Sequence, residues 1–262
     1  MSSPHVARLF LYPFKSLDRE ECDRVTILPS GALAGDRTWA IFDLNGRYVN
    51  GKREAKIHRL RSTFNFATQT LSLREQGTEE TYEFPIGQSY LALCQWLTSY
   101  FDYPVKIQQN LTLGFPDDTV SPGATIVSTA TLEAIASWYP DLDTAAIRDR
   151  FRANIEIDGV PAFWEDRLFA TPETPVKFQI GEVEFMGINP CQRCVVVTRN
   201  QQTGAAYPQF QQIFRQNRTK TLPDWVERSA FNHSFRLAVN TRLSPSEAGK
   251  AIKLGDPIHQ QK

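Results

Sequence analysis

The chain of 262 residues carries 29 basic and 29 acidic side chains, so no net charge steers it toward nucleic acid or an anionic membrane surface. A content of 41% hydrophobic and 11% aromatic residues suits one large or two small globular domains, and no stretch reaches the roughly 18 apolar residues of a spanning helix. The N-terminus lacks a charged region followed by a long apolar core, so a cytoplasmic protein with a small-molecule substrate is expected, its four cysteines reduced.

In chain order, Val6 to Leu11 is an apolar run halted by Tyr12-Pro13 and reads as a buried strand with Lys15 projecting from its end. Arg37 to Asp43 and Arg47 to Asn50 flank Asn45-Gly46, a pair that supplies the positive φ angles of a tight hairpin. The basic run from Lys52 to Arg61 could be a phosphate track, but with the overall charge balanced it reads rather as a solvated strand face. Thr63 to Glu75 continues the strand pattern, with Phe64 and Phe66 and then Leu71 and Leu73 alternating. Tyr90, Leu93, Cys94, Leu97 and Phe101 form one apolar stripe at helical spacing, which makes Cys94 a core residue.

The turn-rich stretch from Gly114 to Gly123 is the expected domain joint, dividing the chain into residues 1–118 and 119–262. Ala124 to Val127 reads as a strand and Thr129 to Trp138 as a helix, whose start is crowded by Ser128, Thr129 and Thr131. Those hydroxyls can cap the helix, or the free N–H groups there can bind an anion. A helix near Asp143 to Arg150 leads into a strand from Phe151 to Asp158 that begins with Arg152 and Asn154. Val176, Phe178 and Ile180, then Val183 and Phe185, alternate with polar residues, and the β-branched run Val195 to Thr198 reads as the next strand, so Cys191 and Cys194 are expected on a connection between strands. Tyr207 to Lys220 is helical in pattern, and Phe235 to Thr241 and Ala251 to Leu254 are short closing strands.

Cys191-Gln-Arg193-Cys194 admits several chemistries. A zinc half-site needs two more ligands at usable spacing, and Cys22, Cys94 and the four histidines are isolated from one another. A thioredoxin-like redox pair normally opens a helix, whereas a strand is expected here. Two inert buried thiols are a third possibility. The fourth rests on Arg193, which keeps positive charge beside Cys194 and favours the thiolate that a soft, redox-active metal needs.

Pro190-Cys191-x-Arg193-Cys194-x-x-x-Thr198 with Thr203-Gly204 resembles the signature of MOSC-domain proteins, and among them most resembles the amidoxime reducing components. Four other segments agree in order: Tyr12-Pro13-x-Lys15-Ser16, Gly35-Asp36-Arg37-x-Trp39, Ser128-Thr129 and Phe151-Arg152-x-Asn154. The resemblance implies an α+β, β-barrel-rich fold, with a MOSC N-terminal β domain packed on a MOSC β-barrel domain with peripheral helices and a molybdenum cofactor (molybdopterin) between them. It implies Cys194 as the molybdenum ligand and catalytic residue, and Lys15, Ser16, Arg37, Ser128, Thr129, Arg152, Asn154 and Arg193 as cofactor contacts. Arginine suits such a role because its planar fork can bind two phosphate oxygens at once.

The implied activity is reduction of N-hydroxylated substrates such as amidoximes and hydroxylamines. Electrons would come from a separate protein, a ferredoxin or a cytochrome b5-like partner, because no Gly-x-Gly-x-x-Gly fingerprint follows a strand and too few cysteines remain for an iron–sulfur cluster. Sulfur transfer onto the cofactor and a non-catalytic carrier role are the alternatives. Asn200, Ala153 and Ser234 depart from the family pattern at positions expected to bear on the substrate pocket.

Overall fold

The run Val6 to Leu11 forms a strand whose pairing draws the two ends of the chain together. In the computed structural model, which describes residues 3–171 and 174–260, the strands of the first part are β1 (His5–Leu11), β2 (Glu20–Cys22), β3 (Arg24–Thr26), β4 (Trp39–Asp43), β5 (Leu60–Asn65), β6 (Thr70–Glu75) and β7 (Thr81–Pro85). Helix α1 (Leu91–Phe101), β8 (Val105–Gln109), β9 (Ile126–Ser128), α2 (Thr129–Ala136), α3 (Thr144–Phe151) and β10 (Ile155–Asp158) follow. The chain closes with β11 (Val176–Ile180), β12 (Val183–Gln192), α4 (Phe210–Thr221), β13 (Arg236–Arg242), β14 (Ala251–Lys253) and β15 (Ile258–Gln260). No helix among the described residues is long and apolar enough to cross a membrane.

Eight strands form one sheet in the order β15-β11-β12-β13-β9-β10-β1-β2, antiparallel except for β9 beside β10. The sheet curls back on itself. Val6 N–H donates to Asp256, Gly255 N–H to Val6 and Ile258 N–H to Pro4, at 2.9, 2.9 and 3.0 Å, so β1 meets the segment entering β15. Closure leaves few exposed edges and encloses a core containing Leu9, Ile126, Ile155, Phe178, Phe185 and Val239. Phe178 and Phe185 face each other across the β11–β12 hairpin with rings stacked at 5.5 Å. Gly187 must lack a side chain, because a Cβ there would lie 1.6 Å from the Leu168 carbonyl oxygen.

In the first half, the β5-β6-β7 meander and the β4–β8 pair share a second core with α1, built on Phe14, Trp39, Phe64, Leu71, Leu97 and Phe101. The apolar stripe of α1 is buried at Leu93, Leu97 and Phe101, and Cys94 packs partly buried against the same core. A third core joins α2, α3 and α4 around Ile135, Phe151, Phe210 and Phe214. The fold is α+β and strand-rich.

Several expected elements differ, each for a local reason. Thr63 to Glu75 is two strands, because Asn65 accepts hydrogen bonds from the N–H groups of Ala67 and Thr68 and turns the chain. Asn45-Gly46 does make its turn, but only a Phe42–Tyr48 bridge follows, and the ladder partner of β4 is the distant β8. The basic run is a loop and a 3-10 turn over Ala55–Arg59, and only its last two residues, Leu60 and Arg61, enter a strand, β5. Phe151 ends α3, and Arg152 is its left-handed C-cap, so the strand begins only at Ile155. Val195–Thr198 is a 3-10 turn, in which the N–H groups of Val197 and Arg199 donate to the nearby carbonyls of Cys194 and Val196 at 3.4 and 3.0 Å in place of a ladder partner.

The expected division between residues 1–118 and 119–262 is bridged by strand pairing, β1 with β10 and β3 with β14. The first two and last two residues of those bounds lie outside the described residues.

Candidate functional site

Strand ends and loops from both halves enclose a cleft of about 630 Å³ whose wall includes Lys15, Ser16, Arg37, Arg152, Asn154, Arg193 and both Cys191 and Cys194. Three of these residues hold left-handed backbone: Ser16 at φ 74°, Arg37 at 46° and Arg152 at 52°. Such conformations are unfavourable for residues with side chains and persist where surrounding contacts impose them, which is common at binding sites.

Tyr12, buried at the end of β1, organises two of the cations. The Arg152 guanidinium stacks 4.0 Å from its ring centroid and that of Arg37 lies 5.2 Å away. Its hydroxyl donates to the Ala153 carbonyl at 3.4 Å. Arg37 also pairs with Asp36, whose carboxylate accepts the Tyr12 N–H at 2.9 Å. Burial works against the Arg37 charge, but Asp36 and Asp117 outweigh it and raise its pKa. Arg152 donates to the Leu17 carbonyl at 2.7 Å and has no ion pair with a carboxylate among the described residues. Its pKa is lowered, mainly by burial and further by the neighbouring Arg37.

Lys15 is buried, and its ammonium donates to the Phe115 carbonyl at 2.9 Å and to Asp117 at 2.7 Å. Burial lowers its pKa more than Asp117 raises it. Asp117 lines the cleft with one side open to solvent; its enclosure there is outweighed by Lys15 and Arg37, which hold its carboxyl at about 2. Asn154 is fully engaged, accepting from the Thr125 N–H and hydroxyl at 3.3 Å and donating to the Phe10 carbonyl at 3.1 Å.

Cys191 ends β12, where register shifts accommodate Pro190 inside a ladder, and Cys194 begins the 3-10 turn. Both thiols are half-buried and unbridged. Arg193 donates to the carbonyls of Leu237 and Phe151 at 3.0 and 3.1 Å. Arg236 is the guanidinium that senses the Cys191 sulfur: burial lowers its pKa and Cys191 offsets part of that.

Ser128 and Thr129, expected as cofactor contacts, are not among the residues lining the cleft. Ser128 is fully buried and caps α2, accepting the Thr131 N–H at 3.1 Å. Thr129 donates to Glu156, which is itself gripped by Arg148 at 2.6 and 2.8 Å. Asn200, Ala153 and Ser234 are likewise absent from the wall. Residues the sequence reading missed include Lys52, His58, Thr125, Asn189, Arg236 and Asn240. Lys52 and His58 belong to the basic run; its unbalanced charge was the one available signal.

The wall carries seven lysines and arginines against three aspartates, a marked excess in a chain of zero net charge. Two buried donors there, Arg150 Nε and Arg193 Nη2, have no acceptor among the described residues. A buried donor without a partner costs about 1–3 kcal/mol, so an anionic, acceptor-rich molecule suits this cleft. No three His, Cys, Asp or Glu side chains among the described residues group to hold a metal ion, so a metal at Cys194 would need ligands brought with it.

Residues 3–91 match the MOSC N-terminal beta barrel domain and residues 123–259 match the MOSC domain. Mitochondrial amidoxime reducing component 2 of Bos taurus is 26% identical, over 97% of this chain and 82% of its own length. Human mitochondrial amidoxime-reducing component 1 is 25% identical over the same shares, 97% and 82%. Human molybdenum cofactor sulfurase is 25% identical over 83% of this chain, which spans only 29% of that relative's length. With both domain models matched in order, and the cationic cleft and its cysteine pair framed by their residues, the chain belongs to the MOSC family.

Proposed function

We propose that the cleft binds a molybdenum cofactor and that the protein, in the cytoplasm, reduces N-hydroxylated compounds with electrons from a separate redox protein. The observation that carries this reading is one thiol, Cys194, in the wall of a cleft with excess cations and two unpartnered buried donors. Likeness to the amidoxime reducing components extends over most of both chains, whereas the human sulfurase is matched over 29% of its length.

In this reading Cys194 is the protein's ligand to the metal, a soft thiolate suited to it. Lys15, Ser16, Arg37 and Arg152 would hold the phosphate, and Arg150, Arg193 and Asn154 would border the ring system. When bound, the group would supply two-electron oxygen-transfer chemistry at molybdenum. The chain's own part is to bind, orient and charge-balance. Tyr12 keeps Arg37 and Arg152 in place, and burial leaves Arg152 able to donate strongly to an anion. Asp36 and Asp117 occupy Arg37 and Lys15, and Asp117 competes with any incoming phosphate for Lys15.

Arg152→Ala is expected to weaken cofactor retention by about 2 kcal/mol, roughly thirtyfold, the value of a charge-assisted hydrogen bond. Asp117→Asn should strengthen retention, because it frees Lys15. Pterin fluorescence and metal content after dialysis measure both; equal retention in the two variants and the parent would remove the phosphate from this corner of the cleft.

The function is tested with freshly purified protein loaded with cofactor and given benzamidoxime and a chemically reduced viologen. Turnover is expected with the viologen and none with NADH or NADPH alone. Absence of molybdenum and pterin under all loading conditions overturns the reading. Sulfur transfer is the second reading, favoured by Cys191, a second thiol in the cleft wall near Arg236. Cyanide-labile sulfur on Cys191, lost in Cys191→Ser, would support it.

A further inference from the structure

The positive charge of the cleft continues onto the surface beside the cysteines. Gln192 on β12 is paired in register with Arg236, so Arg236 flanks one end of the Gln192–Val196 segment. At the other end Val196 packs beside Gly51: a Cβ on that glycine would lie 3.4 Å from the valine side chain, which brings Lys52 alongside. Between them Val195, directly after Cys194, is 48% exposed, an apolar residue at the surface.

Further cations border this segment. Arg215, exposed on α4, lies 6.0 Å from the Phe235 ring centroid, one residue before Arg236. His233 lies in the fields of both arginines; burial, then Arg236 and Arg215, lower its pKa. Arg199 follows the 3-10 turn and its charge reaches His58 at the cleft. Among the described residues none of Lys52, Arg199, Arg215 and Arg236 is in an ion pair, although Lys52 senses Asp117 across the cleft. An apolar centre with unpaired cations on its flanks, one residue from a thiol in the cleft, is a docking surface by charge and position.

We infer that the surface formed by Val195, Lys52, Arg199, Arg215 and Arg236 is where an acidic electron-transfer protein docks, one that carries carboxylates around its own redox centre. This rests on the reductase reading above and adds the place and the charge of the partner. In the reaction two reduced one-electron donors are each oxidised by one electron, two protons come from water, and the N–O bond is replaced by N–H with release of water. Docking over Val195 puts the donor next to Cys194, the shortest covalent route from that surface into the cleft. Opposite charges on the two surfaces raise the encounter rate, and salt lowers it by screening.

The probe is an acidic plant-type [2Fe–2S] ferredoxin titrated onto the cofactor-loaded protein and followed by calorimetry, a readout independent of turnover. Binding is expected to weaken at least tenfold between about 0.05 M and about 0.3 M salt, as screening shortens the electrostatic reach. Arg199→Glu/Arg215→Glu should weaken it at least tenfold at low salt and raise the KM for ferredoxin in proportion. Turnover with a zwitterionic viologen should be unchanged, because that small donor has no net charge to steer. Arg215→Gln is the milder second variant, with a smaller loss in the same direction, and an unchanged melting temperature establishes that it is folded. No binding, binding insensitive to salt and to both variants, or a rise in KM for benzamidoxime instead of ferredoxin overturns the inference. Failure of the viologen reaction in the parent protein strikes at the reductase reading, while the calorimetric titration still decides the docking surface.

Discussion

Cys194→Ser protein should purify without molybdenum, while Cys191→Ser protein should keep it. Both thiols stand in the wall of the same cleft, so proximity alone does not separate them. Their backbone settings do. Cys191 belongs to the end of β12, and its thiol is turned toward the neighbouring Gln192 carbonyl, 3.8 Å away. Cys194 lies past the strand, in extended backbone at the start of a 3-10 turn, with no hydrogen bond assigned to its thiol among the described residues. A cofactor that brings its own sulfur ligands needs only one more from the protein, and a serine hydroxyl is too hard and too weakly acidic to replace a thiolate. Metal analysis of the two variants, loaded in parallel and normalised to folded protein, decides the matter. Equal molybdenum loss in both, with zinc in the parent protein, would assign the pair to zinc and remove the proposed ligand.

Glu165→Gln should stabilise the protein at alkaline pH and lose that advantage in acid. Glu165 is buried beneath α2; it accepts the Thr131 hydroxyl at 3.0 Å through one oxygen, while the other has no partner among the described residues. Burial, and then the charge of Asp166, push its pKa up to about 7. In the unfolded chain a glutamate titrates near about 4.3. Between these values folding takes up a proton, so the wild type loses stability as pH rises from about 4.3 to 7, and above that range the full penalty of a buried carboxylate applies. The interval corresponds to about 4 kcal/mol, which the Glu165→Gln variant escapes because an amide does not ionise.

A buried amide brings its own hydrogen-bonding cost, but that cost does not vary with pH. The quantity to read is therefore how the stability difference between variant and wild type changes between pH 5 and pH 8, roughly 6 °C or more in melting temperature for a chain of this size. A difference that is the same at both pH values would mean that Glu165 is ionised throughout in the native protein.

Where a residue's role follows from its neighbours in sequence, the sequence alone determined it. The apolar stripe of α1 and the alternation in β11 and β12 assign a buried face through a fixed period, and the structure buries those same faces. The ordered segments around Lys15, Arg37, Arg152 and Cys194 were legible through their resemblance to MOSC-domain proteins, and each now lines one cleft. Roles that depend on which partner is available were decided only in the tertiary structure. Val195 to Thr198 has the composition of a strand, yet its N–H groups bond back locally, Val197 to Cys194 and Arg199 to Val196, in a 3-10 turn that leaves Val195 at the surface.

Ser128 and Thr129 could equally cap a helix or bind an anion; in the structure Ser128 caps α2 at Thr131 and Thr129 donates to Glu156, outside the cleft wall. Arg152 was read at the start of a strand, and its side chain reached Tyr12 only because the chain there ends a helix in left-handed backbone. Lys52 and His58 looked like a solvated face until the Gly51 loop packed against Val196 and carried them to the cleft. Local periodicity records which side of an element is buried, but competition for strand edges and hydrogen-bond partners is settled by distant parts of the chain, and no window of the sequence contains it.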